Sequence, residues 1–340
     1  MSRILLVGTE GGKRQVYFKK AAALADVPVD FLDWKDVPGL IGQEWQKEAF
    51  RQYVVKIDPP EWESSRLEEL DGLAGQYRRQ LSGLGGLTAG AFLNHPEDIA
   101  ELLDKRICKE RLIQEQIPVT QLFPMTFSGT EELLDFLREK GISQVFVKPV
   151  QGSGAAGVAA LRYADRTGRL VLYTCAALKG GGLYNTKGMY RLEGKEAAAF
   201  LDSLLGLECV VERWHPKASF QGYCYDLRVG VQGGQVDMIL PRLSKGPITN
   251  LHLNNHAMAY EDLHLSPRIT EQIQEVCLRA ADCYPRLHSI GMDVLLEKGS
   301  LAPRIIEMNA QGDLLHRDVY GENQIYRRQV AMMQEMLIME

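Results

Sequence analysis

The stretch Ile290–Asn309, "IGMDVLLEKGSLAPRIIEMN", reads as two apolar strands around a Lys-Gly-Ser turn. Asp293 and Glu307 stand at equal distances from Ser300, so a symmetric hairpin sets them opposite each other on one face. Asn309 lies two residues past Glu307 and shares that face, because side chains alternate along a strand. Asp, Glu and Asn oxygens are hard donors of the kind Mg²⁺ takes, and Mg²⁺ keeps positions open for phosphate and water. An acidic, solvated face is the plain alternative. The apolar neighbours "VLL" and "RII" weigh against it.

A second stretch carries phosphate chemistry. In "VFVKPVQGSGAAGV", Val145–Val158, a strand ends at Lys148 and a glycine loop follows. A P-loop has the opposite order, with its lysine after the glycines. "QVFVKPV" and "GVAALRY" are expected to pair as an antiparallel hairpin with the glycines at its tip. The bland reading is a flexible turn. Nothing in Gln151–Gly157 looks able to anchor the loop, so it is expected to lack packing partners.

Bulk properties narrow the class. The chain has 340 residues, 45% of them hydrophobic and 24% charged, enough for a sizeable core and two or more domains. A formal net charge of -5 and the lack of any basic block argue against nucleic acid as a partner. No apolar run approaches the ~20 residues of a membrane span. The start "MSRILLVGTEGG" lacks the features of a signal peptide, which points to the cytoplasm. The six scattered cysteines form no C-x-x-C pair and are expected to be buried free thiols.

Strand, glycine turn, helix and strand open the chain, so the first ninety or so residues read as a parallel α/β lobe. Gly8, Gly11 and Gly12 do not make G-x-G-x-x-G. "LSGLGGLTAGAF" reads as a connector. A helix from Pro96 stops and restarts near Asp104-Lys105. "GTEELLDFLREKG" is an amphipathic helix closed by Gly141. Hairpins dominate the rest, one turning at Gly233-Gly234.

In order, then, come Lys105, Lys148 with its glycine loop, "VVERW", "DLR", and Asp…Glu-x-Asn. This set resembles the ATP-grasp superfamily, and is most similar to the branch holding glutathione synthetases and the ligases that add glutamate to ribosomal proteins. The likeness runs from about Asn94 to Asn309. It implies an α/β (α+β grasp) fold: an N-terminal parallel lobe over 1–93, a central subdomain with a glycine lid over 94–210, and a C-terminal subdomain with the metal site over 211–340, both with antiparallel sheets.

The resemblance also implies roles. Lys105 and Lys148 are phosphate lysines, and Gly152, Ser153, Gly154 and Gly157 form a lid whose amides wrap phosphate. The adenine edge meets backbone atoms near Glu212, Arg213 and Trp214, although Trp214 as a packing anchor stays open. Asp226-Leu227-Arg228 resembles D-x-R, with Arg228 near the transferred phosphoryl group. "PRLSKGPITNLHLNN" resembles R-x-A…S-N-L-H, which sets Arg242, Asn250 and His252 on the nucleotide or acyl-phosphate side. His252 as a loop residue bonded to backbone also stays open.

The implied activity is an ADP-forming carboxylate–amine (or thiol) ligase using ATP and two Mg²⁺ ions, with Mn²⁺ as a substitute, held by Asp293, Glu307 and Asn309. Arg228, Lys148 and Arg242 would be its catalytic cations. Partners are a small-molecule or peptide carboxylate and an amine or thiol acceptor, with a homo-oligomer left open. A phosphotransferase and a non-catalytic nucleotide binder are the alternatives. Two departures stand out. "EMNAQGDLLHRD" lacks the proline-glycine turn common after Glu-x-Asn, and Lys217, Ala218 and Ser219 offer no acid for the ribose. With "WHPKASFQG", these features resemble a bacterial subgroup of their own.

Overall fold

Strand segments build three sheets one after another along the chain. The computed structural model describes residues 3–40, 50–61, 64–87, 89–152, 154–253, 255–313, 318 and 320–338. The first sheet is parallel: β1 (Arg3–Gly8), β2 (Val29–Asp33), β3 (Tyr53–Ile57) and β4 (Ala91–Phe92), in the order β2-β1-β3-β4. The second is antiparallel: β5 (Leu122–Phe123), β6 (Gln144–Pro149), β7 (Ala159–Ala164), β8 (Arg169–Lys179), β9 (Gly182–Glu193) and β10 (Cys209–Arg213), in the order β5-β10-β6-β7-β8-β9. The third holds β11 (Ser219–Phe220), β12 (Tyr223–Gln232), β13 (Gln235–Ser244), β14 (His256–Ala257), β15 (Ser289–Leu296) and β16 (Pro303–Asn309). Its path is β14-β13-β12-β15-β16, with β11 on β12.

Helices over Pro96–Leu102, Lys105–Gln114 and Pro267–Asp282 start at a side-chain cap, from His95, Asp104 and Ser266. Helix α1 (Lys13–Leu24) follows the glycine turn after β1. The break near Asp104 is a capping event. The Asp104 carboxylate accepts from the amides of Arg106 (2.8 Å) and Ile107 (3.4 Å), which closes one helix (Pro96–Leu102) and opens the next (Lys105–Gln114). The expected connector "LSGLGGLTAGAF" is mostly ordered structure. A helix over Leu70–Gly85 runs through its first glycines, and Ala91–Phe92 is β4. Buried Ala74, Tyr77, Leu81 and Leu84 recur at helical spacing, and that packing overrides the poor helix propensity of glycine.

Hydrophobic packing does not follow chain order. The closing helix Gln324–Ile338 returns to the first lobe, where Tyr326, Val330 and Met333 pack with Ile4, Leu6 and Phe18. Ile99, Leu102 and Leu112 share a core with β12 and β15 rather than with the second sheet. All six cysteines are free, four of them buried. No described helix is long and apolar enough to cross a membrane.

Two polar contacts fix the lobes against each other. The first is a buried clasp. Lys56 on β3 lies between Asp58 and Asp313, with its Nζ 3.0 Å from Asp313 Oδ2, and all three side chains are nearly inaccessible. Arg14 and Gln329 also donate to Asp313, at 3.2 Å each. Burial raises the Asp58 carboxyl, whereas for Asp313 Lys56 and Arg14 outweigh burial and hold its carboxyl well below the usual range.

The second is a strap, Ser64–Leu70, that crosses from the first lobe to the second sheet. Asn185 donates its amide to the Ser65 carbonyl at 2.7 Å, and Leu183 donates its amide to Glu68 Oε1 at 2.8 Å. Leu67 and Leu70 then enter the core of the second sheet and press on the glycine loop. Gly157 has φ +66°, and a Cβ there would lie 2.8 Å from both Leu67 Cδ1 and Pro149 Cγ. The loop therefore has the partners that its sequence does not announce. Arg78 donates to Gln151 Oε1 at 2.9 Å, Cys175 Sγ lies 2.7 Å from the Ala155 carbonyl, and Ala156 packs on the core.

Each contact makes a prediction. Lys56→Met leaves two buried carboxylates without their shared cation, a class of change that costs about 3–5 kcal/mol. Urea unfolding measures it, and a loss below about 1 kcal/mol would show that the clasp does not hold the lobe. Gly157→Ala is expected to destabilise by about 1–3 kcal/mol through overpacking. Gly168→Ala is the control, since Gly168 has a similar φ of +62° and a Cβ added there would meet no heavy atom within 4 Å. Equal melting losses for the two variants would remove the Leu67 contact as the cause.

Candidate active site

Strand alternation sorts the second sheet into a core side and a cleft side. Val145 and Val147 on β6, and Val211 on β10, enter the core. Phe146, Lys148, Val210 and Glu212 therefore share the other face. Lys148 pairs with Val210 and Phe146 with Glu212, so Lys148 and Glu212 are diagonal neighbours. Their Nζ and Oε2 atoms are 2.9 Å apart. Behind them Lys109 Nζ lies 2.7 Å from Glu212 Oε1 and donates to Thr120 Oγ1 at 2.7 Å, and Thr120 donates to Glu212 Oε2 at 2.7 Å. Burial alone would raise the Glu212 carboxyl, but Lys109 and Lys148 hold it at about 2.

The third sheet presents a cross-strand row of charge. Arg228 on β12 pairs with Asp293 on β15, Asp293 pairs with Glu307 on β16, and Gly291 pairs with Asn309. The expected pair thus forms, but by a different route. Towards the turn, Val294 pairs with Ile305, one residue out of the symmetric register, and an irregularity between Asp293 and Val294 restores the pairing. As a result Ile306 and Glu307 both line the cleft, and Ile305 and Met308 enter the core.

Neighbouring strands grip this row. Arg228 Nη1 is 2.6 Å from Asp293 Oδ1, and Arg242 Nη2 is 3.0 Å from Asp293 Oδ2. Arg242 also donates to Asp226 Oδ1 at 2.8 Å, and Lys217 lies 3.1 Å from Asp226 Oδ2. Nothing in the sequence marks Lys217 and Thr249 as partners of Asp226, and both hold it in place. Burial opposes ionisation of Asp226 and Asp293, yet Arg242 and its neighbouring cations keep both carboxyls below their usual range.

The two faces meet across a cleft of about 620 Å³ with a smaller cavity of about 90 Å³ beside it. Lys105, Gly152, Gly154, Arg228, Arg242 and Asn250 line the larger space, together with Asp293, Glu307 and Asn309. Lys148, Glu212 and Arg213 line the smaller. Ser153 and the His252 side chain fall outside the described residues. Gly157 and Trp214 line neither cavity. The Trp214 ring packs on Phe146, with centroids 5.2 Å apart, and under the Arg162 guanidinium. The amides of Arg213 and Trp214 donate to the carbonyls of Gln121 (2.9 Å) and Gln144 (3.2 Å). Any adenine contact at those two positions must therefore use other atoms than these N–H groups. Lys105 donates to the carbonyls of Gly152 (2.7 Å) and Val150 (3.3 Å), so in this state it braces the base of the glycine loop. Burial lowers its ammonium pKa despite the nearby Glu307.

The donor set fits a hard cation. Asn309 donates its amide N–H to Glu307 Oε1 at 3.2 Å, and its carbonyl oxygen accepts from Arg228 Nη1 at 3.3 Å. Its oxygen and the Glu307 and Asp293 carboxylates are hard donors of the kind Mg²⁺ takes. Among the described residues no group of three His, Cys, Asp or Glu gathers.

The departure after Glu-x-Asn now has a structural reading. Gln311 donates to the Ile57 carbonyl (2.9 Å) and to Tyr77 Oη (2.6 Å), and Asp313 closes the clasp on Lys56. Gly312 allows backbone to meet backbone, since a Cβ there would lie 2.6 Å from Gly291 Cα. Arg14, Glu61, Tyr77 and Gln311 line the far end of the cleft.

No family model and no curated protein sequence matches this chain. Solved structures do. D-cycloserine synthetase DcsG matches with TM-score 0.64 at 13% identity, over 98% of this chain and 99% of its own. ATP-grasp ligase PsnB, solved with a minimal precursor, gives 0.60 at 16% identity over 99% and 100%. D-alanine–D-alanine ligase from Bacillus anthracis gives 0.56 at 14% identity over 100% and 98%. Sequence identities this low speak for fold, and the match spans nearly the whole chain. The parallel first lobe, the two antiparallel sheets and the cleft between them are the fold of the ATP-grasp ligases.

Proposed function

We propose that this chain is an ATP- and Mg²⁺-dependent ligase that joins a carboxylate to an amine (or thiol) through an acyl phosphate, releasing ADP and phosphate. One observation carries the reading: the row Arg228–Asp293–Glu307, with Asn309 on the same face, stands across the cleft from Lys148 and the glycine loop. The ligase names of the three structural neighbours support it.

Asp293, Glu307 and Asn309 would hold Mg²⁺, which would supply positive charge to offset that of the phosphates. The chain's own residues do the rest. Basic side chains outnumber acidic ones around the cleft, which suits a polyanion. Arg228 and Arg242 are fixed by Asp293 and Asp226, so their guanidinium groups meet the transferred phosphoryl group already oriented. Amides of the glycine loop would wrap phosphate, and Gly152, Gly154 and Gly157 all have positive φ, as an anion nest requires. The strap then limits water access to the reacting atoms. The acceptor would sit towards Arg14, Glu61 and Tyr77, and a small molecule or a peptide end are both compatible with that space. Six unpaired cysteines agree with a reducing compartment such as the cytoplasm.

Glu307→Gln tests the metal face. Mg²⁺-dependent ADP formation is expected to fall by about 10²–10³ with an unchanged melting temperature, because a charged hard ligand is lost without a change of shape. Wild-type turnover in this variant would remove the hairpin from the mechanism. Trapping with hydroxylamine distinguishes the ligase from a phosphotransferase. A ligase supplied with its carboxylate and ATP yields a hydroxamate, and a kinase acting on a hydroxyl yields none.

A further inference from the structure

Lys109 lines neither cavity, yet it is 4% exposed and sits directly behind the nucleotide face. Its helix is the one that begins at Lys105, and Lys105 and Lys109 are one turn apart on the same side of it. A buried ammonium is costly, and burial pulls this one down to about 8 against the attraction of Glu212. Packing offers no reason for it, since an apolar side chain of similar length would fill the space without that penalty.

Charge offers the reason. Glu212 is 2% exposed and its two oxygens are fully engaged: Oε1 by Lys109 at 2.7 Å, and Oε2 by Thr120 at 2.7 Å and Lys148 at 2.9 Å. Of these partners, Lys148 and Thr120 line the smaller cavity. With Lys148 alone, Glu212 would form a neutral pair, and the carboxylate would cancel the lysine's pull on any phosphate in the cleft. With Lys109 behind it, the carboxylate is balanced from the closed side. One positive charge is then left over, and it stands on the open side, at Lys148.

We propose that Lys109 is a positioning residue for nucleotide binding: it neutralises Glu212 from behind, through the carboxylate and Thr120, and so leaves the charge of Lys148 to the polyphosphate. The inference deepens the ATP-dependent reading above and rests on it. Glu212 in turn fixes where Lys148 points, so the four side chains act as one bracket with a single free charge.

Calorimetric titration of the full chain with ATP and Mg²⁺ tests this. Lys109→Met is expected to weaken ATP binding at least tenfold, because Lys148 is now spent on Glu212. Lys109→Arg keeps the charge and is expected to stay within about threefold of wild type. Glu212→Gln removes the charge that Lys109 balances, so adding Lys109→Met to Glu212→Gln is expected to change affinity by less than about threefold relative to Glu212→Gln alone. A packing role for Lys109 would cost the same in both backgrounds. The comparison within the Glu212→Gln background leaves no buried unpaired carboxylate, so it tests the proposal where Lys109→Met alone fails to fold. Wild-type affinity in a folded Lys109→Met variant, or a further tenfold loss when Lys109→Met is added to Glu212→Gln, would overturn the proposal. If the wild-type chain itself binds no ATP, the fault lies with the nucleotide reading and not with Lys109.

Discussion

The register of β15 between β12 and β16 is the constraint on which the rest of the site depends. It sets Arg228, Asp293 and Glu307 in one row across three strands, and Asn309 in the next. Side chains alternate along a strand, so a slip of β15 by one residue would turn Asp293 into the core and bring Met292 and Val294 into the cleft. The apolar face makes that slip costly. Those residues and Ile305 are essentially inaccessible, in the core shared with Ile99, Leu102 and Leu112. The hydrophobic effect therefore holds the charged row in place from its opposite side. The irregularity between Asp293 and Val294 is part of the same device, since without it the partner of Asp293 would be Ile306.

A second regularity runs through the molecule. Around the cleft and the clasp, buried charges come in groups that share a partner. Glu212 is shared by Lys109 and Lys148, Asp293 by Arg228 and Arg242, Asp226 by Arg242 and Lys217, and Lys56 by Asp58 and Asp313. Sharing satisfies more hydrogen-bonding positions per desolvated ion than a lone pair does, which is what makes burial of such charges tolerable. It also sets direction. An arginine fixed by a carboxylate behind it cannot rotate away, so its remaining N–H groups face the cleft without further ordering when a phosphate arrives.

Much of this is legible in sequence, and the parts that are not have a common cause. The β15–β16 hairpin, the Lys148 hairpin, the Asp104 helix break and the Gly233-Gly234 turn are local features, and local pairing and capping rules find them. What sequence does not reveal is contact at long range. Strand β9, with its mixed and largely exposed residues, carries little periodic signal, and its first residues are fixed by the strap. The helix Leu70–Gly85 is obscured by its glycines. The glycine loop shows no anchor in its sequence because the partners of Gly157, Gly152, Gln151 and Ala155, which are Leu67, Leu70, Arg78 and Cys175, lie elsewhere in the chain. Lys109 is the one omission with a readable cue, since it repeats Lys105 one helical turn later.

The loop after Asn309 separates the charged row from the part of the cleft lined by the first lobe. Asn309 belongs to the charged row, and two residues later Gln311 already touches the first lobe at Ile57 and Tyr77. Asp313 then locks onto Lys56 and Arg14. Backbone contact between Gly312 and Gly291 pins the point where the chain leaves the sheet, so changes on the far side of it need not disturb Asp293 or Glu307. The residues that face the far end of the cleft, Arg14, Glu61, Tyr77 and Gln311, come from the first lobe and from this loop. In place of a proline, whose missing N–H and fixed φ would shape the turn by itself, this chain uses a glutamine and an aspartate whose side chains reach across to another lobe. On the proposed function, the acceptor end would thus be built by tertiary contacts, and it could be remodelled through the lobe that supplies them while the charged row keeps its register.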